Sequence, residues 1–352
     1  MQARRFIFPF FVRVGTLLVL SCLIGIGLFT LAGHGTARRV IAFVTIVDYR
    51  PQLHLMDVQR RITRQISHIP VFSCCPKWSP DGTQIAFNGN NEQNYVVDVY
   101  GGETRLLTPT KWSGWVMGWS ADGQQVILRS LEATNGSLYR VDADGENFGL
   151  LAEGASNSMY LPLLSTDGRF AFYALRLLDS NDWKIFRLNL EDGTDHLFIN
   201  ENYRGTEALA FASAGGRAAF ASAERREVLV LNTDGSNIQH LATSEDILAM
   251  AWSPDGRQIL FLGQDAAGVQ NVYVTDGDGQ HPHDLNLNAS GMSLSDFSWS
   301  PDGAQISFGL ERPIGKNPVQ PDIYVMDADG SHVQQLTFSP ESDVYPAWQP
   351  GM

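Results

Sequence analysis

One pentapeptide recurs along this chain at nearly constant spacing, and a tandem repeat limits the possible folds more than any other sequence feature. Trp-Ser-Pro-Asp-Gly stands at 78–82, 252–256 and 299–303, and related segments begin at Trp119, Leu164, Phe211 and Trp348. The starting positions lie about 41 to 49 residues apart, which is the period of a four-stranded blade in a β-propeller. The sequence therefore predicts an all-β propeller.

Each repeat also contains the strands and turns that a blade requires. A short apolar segment follows the pentapeptide, as at 85–87, and a third strand such as 323–326 ends in an Asp-x-Asp-Gly turn. In the Trp-Ser-Pro-Asp-Gly segment Pro presets φ near −65°, and in both kinds of turn Gly supplies a positive φ. We therefore interpret the aspartates as turn formers, and the loops lack the spaced ligands of a calcium-binding EF-hand.

The two ends of the repeat region complement each other. The region begins at Val40 with what read as second, third and fourth strands, and it ends at Trp348 with a first strand that nothing follows. Pairing the two ends in one mixed blade would close the ring and remove exposed sheet edges. We predict a seven-bladed propeller of four-stranded blades, closed by pairing of the N- and C-terminal strands.

The N-terminus carries a hydrophobic segment. Residues 14–32 are uncharged and apolar, and at ~1.5 Å per residue they are long enough to cross a bilayer. The excess of arginine before the segment predicts a cytoplasmic N-terminus. The predicted organisation is a cytoplasmic tail at 1–13, a transmembrane signal anchor at 14–32, a linker at 33–39 and the propeller at 40–352. A cleaved signal peptide and a lipoprotein signal at Cys22 remain alternatives, and all three place the propeller outside the cytoplasm.

Charge and cysteine content exclude several classes of protein. The first 39 residues hold five arginines and no acidic residue, so the remainder carries −18 against −13 for the whole chain. Such an acidic body is repelled by phosphates, and we expect no nucleic-acid partner. The remaining cysteines, Cys74 and Cys75, are adjacent and are poorly placed to pair with each other. We read them as buried residues rather than as a disulfide or metal site.

A first candidate site lies at the mouth of the central channel. Strict alternation along the first strands would place the residues one and three positions before each anchor towards the axis. Most of these residues are small or apolar, and the polar exceptions are Lys77, Asp296 and Tyr345. With Asp343 nearby, they form the predicted channel-mouth site, although Lys77 and Asp296 could equally be residues that simply line a water-filled channel.

A second candidate site uses the more variable connections. Links between second and third strands, and between one blade and the next, differ in length, and alternation of the chain direction puts both sets on one face. Binding residues concentrate on such loops, and aromatic side chains and arginine are enriched at interfaces. The predicted loop-face binding residues are Trp112, Trp115, Trp183, Tyr203 and Arg312.

Catalytic and metal motifs are missing from the sequence. There is no GxSxG elbow, no phosphate-binding GxxxxGK[ST] loop and no HExxH. His196, His240, His283 and His332 recur near the starts of fourth strands, which are outermost, so they cannot converge on one metal ion. We expect no metal site and no cofactor.

The repeated Trp-Ser-Pro-Asp-Gly, followed by Ile-Tyr-Val-Met-Asp-Ala-Asp-Gly at 323–330, resembles the TolB-type propeller repeat. The resemblance covers residues 40–352, the propeller alone, and it implies binding of a protein or ligand. The repeat also occurs in non-catalytic propellers of peptidases and in some lyases, so it is specific for the fold and says little about function.

Together these features favour a membrane-tethered, extracytoplasmic, non-catalytic scaffold that binds a protein or peptide. The alternative is a carbohydrate-active or other small-molecule enzyme, a lyase or hydrolase with its site at the channel mouth. A ligand sensor with a short cytoplasmic tail is a third interpretation, disfavoured because the tail is too short for a signalling domain.

Overall fold

The computed structural model describes residues 39–72, 76–131, 137–153, 159–165, 167–176, 183–199, 209–211, 216–222, 227–242, 246–265, 267–279, 281–287, 293–311 and 320–351. In these ranges the regular secondary structure consists of β-strands, arranged in seven four-stranded sheets. No helix in the same ranges is long and apolar enough to span a bilayer. The predicted anchor at 14–32, Cys22, Cys74 and Cys75 lie outside the described residues.

The seven sheets are the blades of a propeller. Blade 1 contains, in sheet order, β28 (Ser342–Trp348), β1 (Val40–Val47), β2 (Arg50–Asp57) and β3 (Ile62–Gln65). Blade 2 contains β4 (Lys77–Trp78), β5 (Gln84–Asn88), β6 (Asn94–Asp98) and β7 (Thr104–Leu106). Blade 3 contains β8 (Gly114–Trp119), β9 (Gln125–Ser130), β10 (Leu138–Asp142) and β11 (Gly149–Ala152).

The remaining four blades follow the same order of strands. Blade 4 contains β12 (Met159–Leu164), β13 (Phe170–Arg176), β14 (Trp183–Asn189) and β15 (Asp195–Ile199), and blade 5 contains β16 (Leu209–Phe211), β17 (Arg217–Ser222), β18 (Glu227–Asn232) and β19 (Gln239–Ala242). Blade 6 contains β20 (Asp246–Trp252), β21 (Gln258–Gln264), β22 (Gln270–Asp276) and β23 (His283–Asp284), and blade 7 contains β24 (Ser293–Trp299), β25 (Gln305–Glu311), β26 (Asp322–Asp327) and β27 (Gln334–Gln335).

The first strands of the blades surround a common axis. Each of them from β4 to β24 contacts the first strand of the next blade, and β24 contacts β28. The ring is completed between blades 1 and 2, where the indole Nε1 of Trp78 donates to the carbonyl of Ala347 at 3.0 Å. All seven first strands are therefore the inner edges of their blades.

Closure of the ring takes place inside blade 1, as predicted. The C-terminal strand β28 pairs antiparallel with β1, with Trp348 opposite Ile41 and Ser342 opposite Ile46. The amide of Gln349 donates to the carbonyl of Val40 at 2.9 Å, so the two ends of the propeller are adjacent. The prediction of seven four-stranded blades closed by the terminal strands is confirmed.

The two faces of the propeller differ in their connections. We call the face with the first-to-second and third-to-fourth connections the hairpin face, and the opposite one the loop face. Every first-to-second connection within blades 2 to 7 has five residues, whereas second-to-third connections range from two residues in blade 1 to ten in blade 7. The predicted difference between a uniform and a variable face is therefore confirmed.

Hydrogen bonds within the Trp-Ser-Pro-Asp-Gly segment explain the repeated residues. The Ser79 hydroxyl donates to Asp81 Oδ1 at 2.6 Å and accepts the amide of Gln84 at 2.9 Å. Gly82 takes a φ of +67°, where a Cβ is unfavourable. The same network recurs at Ser120, Ser165, Ser253 and Ser300. The interpretation of these aspartates as turn formers is confirmed.

The anchor tryptophans join neighbouring blades. The indole of Trp119 donates to the carbonyl of Lys77 at 2.9 Å, and that of Trp299 to the carbonyl of Ala251 at 3.3 Å. In each case the acceptor immediately precedes the anchor of the previous blade, as it does for Trp78. Buried apolar clusters fill the space between blades, such as the one that blades 6 and 7 share around Phe308.

Candidate functional site

The first strands do not alternate regularly at the predicted channel-mouth site. Register shifts interrupt the pairing of β24 with β25 after Ser295 and that of β28 with β1 beside Tyr345. Asp296 and Tyr345 occupy these bulges with φ values of +57° and +58°. The prediction of strict alternation is wrong here, because a bulge adds a residue on one strand and redirects the side chains around it.

Asp296 and Tyr345 lie together at the junction of blades 7 and 1. The carboxylate of Asp296 accepts hydrogen bonds from the Ser295 side chain and from the backbone amide of Tyr345. Burial nevertheless raises the pKa of Asp296 above the ordinary value for aspartate, because removal of solvent disfavours the ionised form more than the two hydrogen bonds favour it. The Tyr345 ring packs against the apolar cluster between blades 1 and 2.

The other two predicted channel-mouth residues have different surroundings. Asp343 is 2% exposed, and its carboxylate accepts the hydroxyls of Thr45 at 2.7 Å and Ser339 at 3.1 Å. These contacts hold β28 against β1. Lys77 is half-buried on β4 in blade 2, where its carbonyl accepts the indole of Trp119. The structure thus brings Asp296 and Tyr345 into contact, and it gives Asp343 a role in closing the ring.

Among the predicted loop-face residues, Trp112 is half-buried and packs against two neighbouring rings. Its ring makes edge contacts with Tyr139 at 5.3 Å and with Phe148 at 5.1 Å, and those two rings are stacked on each other. The ring also covers Gly114, where a Cβ would lie 2.1 Å from Trp112. Trp112 therefore stabilises the contact between blades 2 and 3, and a substitution there would report on folding as well as on binding.

The remaining predicted loop-face residues are less fully described. Trp115 lies on β8 opposite Arg129 and is half-buried. Trp183 begins β14 and pairs with Arg176. Tyr203 and Arg312 lie outside the described residues. Their part in a binding surface stays a prediction.

Three exposed aromatic residues on the loop face were missed by the sequence analysis. Tyr49 stands at the tip of the β1–β2 turn, Phe72 in the connection that leaves blade 1, and Phe338 in the connection that enters it. They are 99%, 44% and 68% exposed, respectively. The other exposed aromatic side chain among the described residues, Tyr100, lies on the hairpin face. Their positions in the connections between strands around blade 1 could have identified them from the sequence.

The four recurring histidines lie along the outer rim. His196, His240 and His283 are on the fourth strands β15, β19 and β23, and His332 precedes β27. His332 Nδ1 lies 2.8 Å from Asp327 Oδ2 and contributes to the lowered pKa of that aspartate. No group of three potential metal ligands occurs in the part of the chain that the structure describes.

These observations define the protein as a closed, seven-bladed β-propeller with its distinctive polar residues at the inner strands of blades 7 and 1. The chain belongs to the PD40 family, the TolB beta propeller domain, whose family model matches residues 34–245 and 209–351. The predicted resemblance to the TolB-type repeat is confirmed.

Curated relatives match part of the chain. The Tol-Pal system protein TolB of Anaeromyxobacter dehalogenans strain 2CP-C is 34% identical over 124 residues, which are 35% of this chain and 26% of the relative. TolB of Anaeromyxobacter sp. strain K is 33% identical over the same length. The match therefore spans about a quarter of the length of these relatives.

Solved structures share the fold over most of the chain. The propeller of the Trilobed protease from Pyrococcus furiosus superposes with a TM-score of 0.64 at 15% identity, covering 86% of this chain and 96% of that one. An oligogalacturonate lyase from Vibrio parahaemolyticus gives 0.58 at 14% identity, covering 85% and 86%. TolB from Acinetobacter baumannii gives 0.54 at 15% identity, covering 86% and 79%. Identities this low establish the fold and not the function.

Proposed function

We propose that the protein is a membrane-tethered, non-catalytic scaffold that binds a protein or peptide partner outside the cytoplasm through its loop face. The observation that carries the proposal is the position of Tyr49, Phe72 and Phe338 in three successive connections on that face around blade 1. Large exposed aromatic side chains on rigid supports are typical anchors of protein interfaces.

Hydrogen bonds hold the backbone next to each of these residues, and Tyr49 stands in the two-residue turn between the paired Val47 and Arg50. Segment 70–72 is fixed by the amide of Val71, which donates to the carbonyl of Pro51 at 2.8 Å. The connection that carries Phe338 is fixed through Ser339, whose hydroxyl donates to the buried Asp343. Ordered aromatic side chains lose little conformational entropy on binding, which favours affinity.

The chain enters the propeller at the face opposite the proposed binding surface. Arg39 precedes β1 at the hairpin face, where its guanidinium pairs with Asp302 at 2.6 Å. The proposed membrane segment at 14–32 precedes this point in the chain. The acidic body would disfavour binding to nucleic acid.

The test is a comparison of tagged full-length proteins purified from native membranes. The triple variant Tyr49→Ser, Phe72→Ser and Phe338→Ser is expected to lose a stoichiometric partner that the unaltered protein retains, because its apolar anchors are gone. The matched control is Tyr100→Ser, which removes an aromatic side chain from the hairpin face and should retain the partner. Both proteins should be extracted with the membrane fraction.

Two results would contradict this proposal. Equal recovery of the partner by the triple variant and by Tyr100→Ser would show that the loop-face aromatics do not bind it. Recovery in the soluble fraction would contradict the tether.

A second candidate function is an enzyme acting on a carbohydrate or another small molecule at the channel mouth. It is favoured by Asp296, a half-buried carboxyl with a raised pKa, which is the condition of a general acid. A purified protein without a partner, but with lyase or hydrolase activity that Asp296→Asn abolishes, would support this candidate over the scaffold.

A further inference from the structure

The bulges of blades 7 and 1 place strained residues at one repeat position. Asp296 and Tyr345 each lie three residues before the anchor of their blade, and both have left-handed φ values. At the corresponding position Val116 of blade 3 and Ala249 of blade 6 have no positive φ. Backbone strain of this kind concentrates at binding and catalytic sites.

The carboxylate of Asp296 lacks a cationic partner in the described part of the chain. Its polar contacts are the Ser295 side chain and the Tyr345 amide, and no positively charged group contributes to its pKa. An ionised carboxylate that is partly removed from water is costly unless a positive charge compensates it. A cation bound beside Asp296 would supply that compensation.

Gly309 lies beside this carboxylate and has no side chain. It pairs with Ser295 across β24 and β25. A Cβ on Gly309 would lie 2.8 Å from Ser295 Oγ and 3.9 Å from Asp296 Oδ2. The equivalent positions in blades 1 and 2 are Val44 and Asn88, which stand directly after the ring-bearing residues Phe43 and Phe87. The glycine therefore leaves room for the Ser295 side chain, which hydrogen-bonds to the Asp296 carboxylate.

We propose that Asp296 is the anionic end of a site that binds a lysine or arginine side chain of a peptide, on the inner strands where blades 7 and 1 meet. The inference rests on the proposed function, since it assigns the chemistry of the partner. Ser295 and the Tyr345 amide hold the carboxylate in place, and the propeller's net charge of −18 for residues 40–352 draws a basic segment towards it.

The first experiment compares binding of three blocked tripeptides that carry lysine, arginine or norleucine at the central position. The full-length protein in detergent is expected to bind the two basic peptides at least about tenfold more tightly than the norleucine peptide. Asp296→Asn should remove this preference, and Asp48→Asn, which neutralises an exposed carboxylate on the loop face, should retain it. A wild-type protein without preference for the basic peptides would overturn the proposal.

Thermal unfolding without ligand separates a binding role from a structural one. Asparagine keeps an oxygen that can accept the Tyr345 amide, and it removes an uncompensated charge. Asp296→Asn is therefore expected to melt at the same temperature as the wild type or higher, as is common when a binding residue is replaced. A clearly lower Tm would show that the carboxylate serves the bulge, and it would overturn the proposal.

The outcomes also distinguish this inference from the proposed function. If the membrane partner binds Asp296→Asn as well as it binds the wild type, and the tripeptides show no preference, the results contradict the cation site and leave the scaffold proposal unaffected. If the basic tripeptides bind through Asp296 but no partner depends on the loop-face aromatics, the results support the cation site and contradict the proposed binding surface.

Discussion

At the scale of single residues, blade 1 departs from the other blades at His54. In blades 2, 4, 6 and 7 an aromatic ring on the second strand stacks on one on the third, as Phe87 does on Tyr95 at 5.7 Å. In blade 1 the third-strand partner of Phe43 is His54, at 5.6 Å. Burial lowers the pKa of His54, against the opposing influence of the Gln52 carbonyl and of Asp343.

This shift makes the stability of the propeller sensitive to mild acid. Because the folded-state pKa lies below the unfolded value of about 6.5, the unfolded chain binds the proton first, and the free energy of unfolding declines as the pH falls below that value. His54→Phe, which restores the ring of the other blades, should reduce the difference between urea unfolding at pH 7.5 and at pH 5.5. The exposed His283→Gln is the control, and an equal reduction there would contradict the assignment.

Residue-scale features divide into those that the sequence predicts and those that it does not. The turn role of Asp81 follows from local chemistry, because Ser79, Asp81 and Gly82 are close in sequence and bond to one another. The packing of Trp112 on Tyr139 and Phe148 joins three segments that are separated along the chain. From the sequence alone a tryptophan in a loop is expected to be exposed, whereas contacts with Tyr139 and Phe148 bury much of Trp112.

At the scale of elements, the first-to-second hairpin is the unit that the repeat conserves. The Ser253 hydroxyl is buried, donates to Asp255 at 2.7 Å and accepts the amide of Gln258 at 2.9 Å. The hydrogen bond from Ser253, followed by the one from the Arg257 amide, holds the pKa of Asp255 below its usual value. One side chain thus fixes both ends of the five-residue connection in five blades, whereas blade 5 has Ala212 at this position and a connection of the same length.

Removal of this hydroxyl should weaken the whole domain. Ser253→Ala leaves the Gln258 amide without its side-chain acceptor and removes one of the two hydrogen bonds to Asp255, which keeps the one from the Arg257 amide. We expect the free energy of unfolding to fall by about 1 kcal/mol. Denaturant titration followed by tryptophan fluorescence measures the change. Ser236→Ala, in an exposed third-to-fourth turn, should have a smaller effect, and the reverse order of the two variants would contradict the role assigned to Ser253.

The strands themselves were predictable, and the bulges were not. Apolar segments between punctuating turns define a strand locally, so the positions of β25 and β26 follow from the sequence. The positive φ of Tyr345 has no local cause, because a bulky residue avoids this conformation. It is imposed by the contacts between blades 7 and 1, and these exist only in the closed ring. For this reason the geometry of the first strands around Asp296 and Tyr345 could not be predicted from the sequence.

At the scale of the whole molecule, closure depends on one strand from the far end of the chain. Truncation after Glu341 removes β28, exposes the edge of β1 and deletes Trp348 from the cluster that blade 1 shares with blade 7. We expect such a chain to lose its cooperative thermal transition and to aggregate, because an open edge pairs with other chains. Size-exclusion chromatography and calorimetry would measure both effects.

A circular permutant provides the matched comparison for that truncation. Since Gln349 and Val40 are hydrogen-bonded, a short Gly-Ser linker can join Gly351 to Arg39, and new ends can be placed at the exposed Lys111. All 28 strands are then present, and we expect a Tm within about 5 °C of residues 39–352 in their natural order. A permutant as unstable as the truncated chain would show that chain order, rather than the missing strand, controls closure.

The arrangement of β1 also has a mechanical consequence. The chain enters this strand at the hairpin face, and β1 is hydrogen-bonded to β28 on one side and to β2 on the other. A pull between the N-terminus and a partner held on the loop face would act along the strand, so that both ladders would be loaded in shear and many bonds would share the force. A pull that separates the two termini sideways would break the β1–β28 ladder one bond at a time. The same propeller would thus resist tension between its two faces far better than tension that peels its ends apart.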